Sequence, residues 1–119
     1  MKRVLLVDDD ADLRLALKLA LEAAEYQVIE ATSGQEALHM QRREPADVLI
    51  TDIFMPDSDG FEAIEGFRRE FPATSIVVVS GGGGRTKLDY LATARLAGAD
   101  ATLQKPFEID ALLETLRAL

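Results

Sequence analysis

The sequence predicts an α/β fold of five alternating strand and helix units, (βα)5, on a parallel sheet. Three observations carry that expectation. Short apolar runs rich in β-branched residues alternate with longer stretches of helical period. Gly, Pro, Ser or Asp marks the changes between them. Three of the runs are apolar throughout, as strands covered by helices on both faces must be. At 119 residues the chain suits one domain over 1–119, because a single core typically organises about 100–150 residues.

The first run, VLLV at 4–7, ends in Asp8, Asp9 and Asp10. Leu13, Ala16, Leu17, Ala20 and Leu21 then fall on one helical face, which predicts a helix over about 10–24 with Asp10 as its cap. Val28 and Ile29 form a short second strand, and Ser33 with Glu36 has capping-box spacing at a second helix through Ala37 and Leu38. VLI at 48–50 is the third strand and runs on into Asp52. Asp59 and Glu62 repeat the cap spacing before a third helix with Phe61, Ile64, Phe67 and Phe71 on its apolar side, stopped by Pro72. IVVV at 76–79 is the fourth strand and ends in Ser80. Leu88, Leu91 and Ala92 predict a fourth helix ending near Gly98. A weaker strand at 101–103 follows, and Ile109, Leu112, Leu113 and Leu116 stripe a fifth helix.

A formal net charge of -8 disfavours direct nucleic acid binding and attachment to an anionic membrane. The absence of cysteine removes disulfides, thiolate chemistry and cysteine-bound zinc, and suits a reducing compartment. The first apolar run is too short and too soon acidic for a secretory leader, and no stretch approaches the ~18 apolar residues that span a bilayer. A soluble, cytoplasmic protein is the expectation.

Open parallel sheets bind ligands beyond the carboxyl ends of their strands. Those ends carry Asp8 and Asp9, Asp52, Ser80 and, after the fifth strand, Lys105. Close carboxylates repel one another unless a cation intervenes. Magnesium fits, since it takes one or two carboxylates and leaves positions for phosphate oxygens. Phosphoryl transfer needs a nucleophile in line, a metal, and further donors on the phosphoryl oxygens. Asp52 as nucleophile, Asp8 and Asp9 toward the metal, Ser80 as hydrogen-bond donor and Lys105 as second positive charge would supply these parts.

With VLLVDDD, DIFMPDSDGFE, VVVS and GADATLQKPF in this order, the sequence resembles the receiver domain of two-component response regulators over nearly its whole length. The resemblance implies a flavodoxin-like three-layer sandwich with its five-stranded parallel sheet in order 2-1-3-4-5. It implies Asp52 as phosphoacceptor, Ser80 and Lys105 as catalytic partners, and Mg2+, with Mn2+ as a substitute, held by Asp8, Asp9, Asp52 and the backbone carbonyl of Phe54. A cis peptide between Lys105 and Pro106 is implied too. The donor would be a histidine kinase or histidine phosphotransfer protein, with the domain catalysing its own phosphorylation and dephosphorylation. Helix one with Arg14 and the loop of Pro106 and Phe107 would face that donor. The fourth and fifth helices and the fifth strand would face a downstream protein target or a second copy in a homodimer.

Two departures from the family pattern stand out. Thr102 occupies the position usually held by an aromatic residue, and glycines fill 81–84 after Ser80. Both predict an altered output path in which phosphorylation orders the glycine loop. That run lacks P-loop spacing, DSDGFE fails the calcium-loop register at Met55 and Gly66, and the lone His39 is expected on the surface. Two other functions are open to this sequence. LLVDDDADL also resembles the D-x-D strand of haloacid dehalogenase-type phosphatases, with Asp8 as nucleophile and Asp10 as general acid. A receiver used only for docking, without phosphorylation, is the other.

Overall fold

The structure is a computed structural model. It describes residues 2–55, 58–80, 95 and 97–119, and the side chains of all of these except 54, 55, 58–61 and 80.

Five parallel strands form the sheet: β1 (Arg3–Val7), β2 (Gln27–Ala31), β3 (Val48–Asp52), β4 (Ser75–Ser80) and β5 (Ala101–Gln104). Their spatial order is β2-β1-β3-β4-β5, the order 2-1-3-4-5 that the resemblance implied. Helices α1 (Ala11–Ala23), α2 (Gly34–Arg43), α3 (Gly60–Glu70) and a C-terminal helix (Ile109–Arg117) cover it. Alternation along the strands divides the core into two layers. Val4, Leu6, Val48, Ile50, Val77 and Val79 pack with Leu17 and Leu21 of α1 and with Leu112 and Leu116 of the C-terminal helix. Leu5, Val7, Leu49, Ile76 and Val78 pack against Ala37 of α2 and Ile64 and Phe67 of α3. The three central strands are therefore buried on both faces, as their unbroken apolar runs require.

The caps define the helix starts. Asp10 accepts from the backbone N–H groups of Asp12 (3.1 Å) and Leu13 (3.2 Å), which fixes the start of α1. Ser33 Oγ accepts from Glu36 N–H at 3.1 Å, but Glu36 reaches back to Thr32 N–H at 3.3 Å, so the expected capping box closes one residue early. Asp59 immediately precedes α3, and its capping side chain lies outside the described residues. So do Leu88, Leu91 and Ala92 of the expected fourth helix, of which Arg95 and Ala97 are described as helical. The short antiparallel pair Phe54–Met55 with Ser58–Asp59 has no counterpart in the sequence reading: Phe54 faces Asp59 and Met55 faces Ser58, making a small hairpin directly after Asp52.

Gly98 ends that helical stretch at φ 123°, where a Cβ would lie 3.1 Å from Arg68 Cγ and Nε. Arg68 cannot yield easily. It donates to Gly98 O (2.6 Å from Nη2), Asp100 Oδ2 (2.8 Å), Pro72 O (3.1 Å) and Thr74 O (3.2 Å). Asp100 Oδ2 also accepts from Ile76 N–H at 2.7 Å, so the clamp ties α3 to the starts of β4 and β5. Gly98→Ala is expected to cost about 1–3 kcal/mol, from left-handed backbone and a displaced Arg68. A lower urea midpoint at unchanged m-value would register it.

Candidate functional site

Strand register assembles the site. Val7 lies opposite Thr51, so Asp8 and Asp52 follow one another at neighbouring strand ends, between the two strands where the chain order reverses. Asp52 pairs with Val79, and Ser80 pairs with Gln104, so Ser80 and Lys105 arrive at the same edge. Lys105 Nζ donates to Asp52 Oδ2 at 2.7 Å and to Asp8 Oδ2 at 3.1 Å. One ammonium thus bridges two carboxylates from different strands. The Lys105-Pro106 peptide is cis, as the resemblance implied.

Both acids are buried, Asp8 at 1% exposure and Asp52 at 6%. Burial pushes the Asp8 carboxyl above its usual range; Asp52 beside it adds to this, while the Asp10 N–H and Lys105 pull the other way. Burial alone would lower the Lys105 ammonium, but hydrogen bonds and charge from Asp52 and Asp8 outweigh it and raise its pKa. The trio of two carboxylates and one ammonium carries one excess negative charge when all are ionised. Such a site attracts a further cation.

Asp8 is held from several directions. Its N–H donates to Ala31 O at 3.3 Å, its Oδ1 accepts from Asp10 N–H at 2.9 Å, and its carbonyl accepts from Arg14 Nη1 at 2.7 Å. Arg14 also donates from Nε to Glu30 Oε1 at 3.1 Å. Arg14, expected on the face toward a partner, is therefore folded inward, its side chain only 17% exposed. No periodicity signals that contact, because it joins α1 to β2.

The expected site residues divide in two. Asp8, Asp52 and Lys105 come together. Asp9 is exposed instead, at a bend two residues past the end of β1. The expected convergence of three acids is therefore two: among the described residues no group of three or more acidic or histidine side chains could hold a metal. Two converging carboxylates still match magnesium, which keeps several waters. Ser80 closes β4, and its side chain lies outside the described residues, as do the expected glycine run at 81–84 and its ordering. Phe54 lies two residues past Asp52 in the short hairpin. Thr102 is half-buried opposite Val78, and His39 is exposed as expected. No helix among the described residues is long and apolar enough to cross a membrane.

The chain belongs to the response regulator receiver domain family, which it matches over residues 4–117. It is 37% identical over 118 residues to the transcriptional regulatory protein KdpE of Mycobacterium tuberculosis, covering 99% of this chain and 50% of that protein. It is 36% identical to the chemotaxis protein CheY of Thermotoga maritima, covering 97% of this chain and 94% of that one. Among solved structures, a CheY-like receiver domain protein of Methanospirillum hungatei superposes with TM-score 0.91 at 31% identity, covering 99% of this chain and 92% of that chain. CheY4 of Vibrio cholerae does so with TM-score 0.87 at 32% identity, covering 99% and 98%. The chain spans about half the length of the first curated relatives it matches. The receiver reading stands, and nothing favours the phosphatase or docking-only alternatives.

Proposed function

We propose that residues 1–119 form one phosphoacceptor domain that takes a phosphoryl group onto Asp52 from the phosphohistidine of a histidine kinase or histidine phosphotransfer protein. The observation that carries the reading is the Lys105 ammonium bridging Asp8 and Asp52, with Asp52 at the carboxyl end of the central strand β3. An Asp52 carboxylate oxygen forms the new P–O bond as the P–N bond breaks and the imidazole leaves. Lys105 stabilises the negative charge on the phosphoryl oxygens, and Ser80 donates a hydrogen bond to them. Attack by water on the aspartyl phosphate later returns inorganic phosphate and the original carboxylate, so the domain catalyses both halves of its own cycle.

Mg2+, or Mn2+ in its place, supplies the remaining charge neutralisation when bound. Asp8, Asp52 and the Phe54 carbonyl would hold it, with Asp9 contributing from the exposed side. The donor would dock where α1 meets the loop after β5, at a cavity of about 500 Å³ lined by Leu13, Ala16, Leu17, Pro106 and Phe107. Output would pass through the surface of β5 and the C-terminal helix to a target protein or a second copy. The net charge of -8 speaks against direct DNA contact by this domain, and a kinase of this type would meet it in the cytoplasm.

Incubation with acetyl phosphate and Mg2+ followed by peptide mass mapping tests this. One phosphoryl group on the peptide containing Asp52, absent when Mg2+ is chelated before the donor is added, is expected; label on Asp8, or none, would overturn the reading. Mg2+ should also stabilise the unphosphorylated fold, by about 2.7 kcal/mol at one hundred times its Kd. Thermal unfolding with and without the ion measures that.

A further inference from the structure

Arg14 lies outside the trio of Asp8, Asp52 and Lys105, yet it holds the backbone that carries one of them. Its Nη1 donates to the Asp8 carbonyl at 2.7 Å and its Nε to Glu30 Oε1 at 3.1 Å. Lys18 Nζ lies 3.5 Å from Glu30 Oε2, so Glu30 sits between two cations of α1. Glu30 is one residue before Ala31, whose carbonyl receives the Asp8 N–H at 3.3 Å. The peptide units on both sides of Asp8 are therefore tied to the end of β2, one directly and one through a rigid guanidinium fork.

We propose that Arg14, oriented by Glu30, is a positioning residue that aims the Asp8 carboxylate into the metal site. The inference rests on the magnesium-dependent phosphoacceptor reading above. Fixing the carbonyl of Asp8 fixes the peptide plane between Asp8 and Asp9, and with it the direction in which the Asp8 side chain leaves. Hydrogen-bonded partners behind metal ligands typically govern affinity by about 10–100-fold.

Electrostatics and positioning predict opposite signs here, which makes the proposal decidable. Removing the Arg14 charge near an acidic site should tighten cation binding if Arg14 acts only as a charge. It should weaken binding if Arg14 holds the ligands in place. Mg2+ affinity is measured by calorimetry without any phosphodonor, on the whole chain and on Arg14→Met, Arg14→Lys and Glu30→Gln, each checked for folding by circular dichroism. We expect Arg14→Met to bind about tenfold more weakly. Arg14→Lys should recover little, because a single ammonium cannot span both partners. Glu30→Gln should fall between parent and Arg14→Met. With acetyl phosphate, the loss should be recovered by raising Mg2+, leaving the saturated rate within about twofold.

Parent-like or tighter Mg2+ binding by folded Arg14→Met and Glu30→Gln would overturn the positioning role and leave the phosphoacceptor reading standing. Failure of the parent chain itself to bind Mg2+ would instead remove the reading, and the inference with it. Should Arg14→Met not fold, Arg14→Lys decides alone, because it keeps the charge: weaker Mg2+ binding than the parent supports the positioning role, and parent-like binding overturns it.

Discussion

Asp52→Asn is expected to abolish phosphorylation by acetyl phosphate while leaving the fold within about 1 kcal/mol of the parent. The amide nitrogen and oxygen that replace the carboxylate are poor nucleophiles, so the loss should exceed about three orders of magnitude. Asp8 offers no substitute. Its two oxygens are occupied by the Asp10 N–H at 2.9 Å and Lys105 at 3.1 Å, and it is 1% exposed. A nucleophile in that position would have to give up both bonds and emerge from under Asp10. The side-chain amide oxygen of the variant can still accept from Lys105, and the Asp8 contact to that ammonium persists, which is why stability should change little. Intact mass after equal incubation of parent and variant is the measurement. A variant that labels at a comparable rate would show that another side chain is the acceptor, with Asp8 the first to map.

Most of the scaffold of this site was legible in the sequence because it is written locally. Residues 4–7, 48–50 and 76–79 are continuous apolar runs, and each became a central strand buried on both faces. Their C-terminal polar residues were then bound to meet at one edge, since parallel strands share a direction. Asp8, Asp52 and Lys105 follow from that logic alone. Asp9 does not: it lies at an exposed bend past the end of β1, where strand alternation no longer fixes the direction of a side chain. The edge strand β2 was underestimated at two residues because Gln27 and Glu30 interrupt its apolar pattern, although Glu30 proves to be held by Arg14 and Lys18. Contacts between elements distant in sequence stayed hidden for the same reason. Arg68 reads as an ordinary cation near the end of α3, yet it closes on Gly98 and Asp100, thirty and thirty-two residues on. Gln41 reads as a polar residue of a surface helix. It is 1% exposed, and it satisfies Ala46 O at 3.1 Å, Thr74 Oγ1 at 3.1 Å and Ala46 N–H at 2.8 Å. Such residues satisfy buried polar groups that only the assembled chain creates.

Lys105→Met should produce the second large effect, and its dependence on pH distinguishes electrostatics from packing. Met preserves the apolar stem of the side chain. What disappears is the charge lying 2.7 Å from Asp52 and 3.1 Å from Asp8, so the two buried carboxylates lose the cation that bridges them. Breaking a buried ion pair from one side costs about 3–5 kcal/mol, and the partial access of water at this edge favours the lower figure, about 3 kcal/mol near neutrality. Asp8 already has a raised folded pKa, chiefly from burial. A raised acid contributes stability that is fully present below its unfolded value of about 3.9 and is lost as pH rises through the folded value. Without Lys105 that folded value climbs further, so the loss extends to higher pH and deepens. Lys105 itself, with its raised pKa, contributes stability below about 10.4 that vanishes as pH rises through its folded value, and only the parent has it to lose. The stability difference between parent and variant should therefore be largest near neutrality, shrinking as pH falls into the ordinary carboxylate range and as it rises past the ordinary lysine range. Mg2+ should restore much of the deficit, since the vacated negative pair offers it a stronger field, yet the phosphorylation rate at saturating Mg2+ should remain about a hundredfold down for want of the ammonium on the phosphoryl oxygens. Urea unfolding across this pH range checks the first expectation and acetyl phosphate kinetics the second. A stability difference that stays constant with pH would mean that Lys105 holds the fold by packing alone, and that the charge balance at the strand ends has been misjudged.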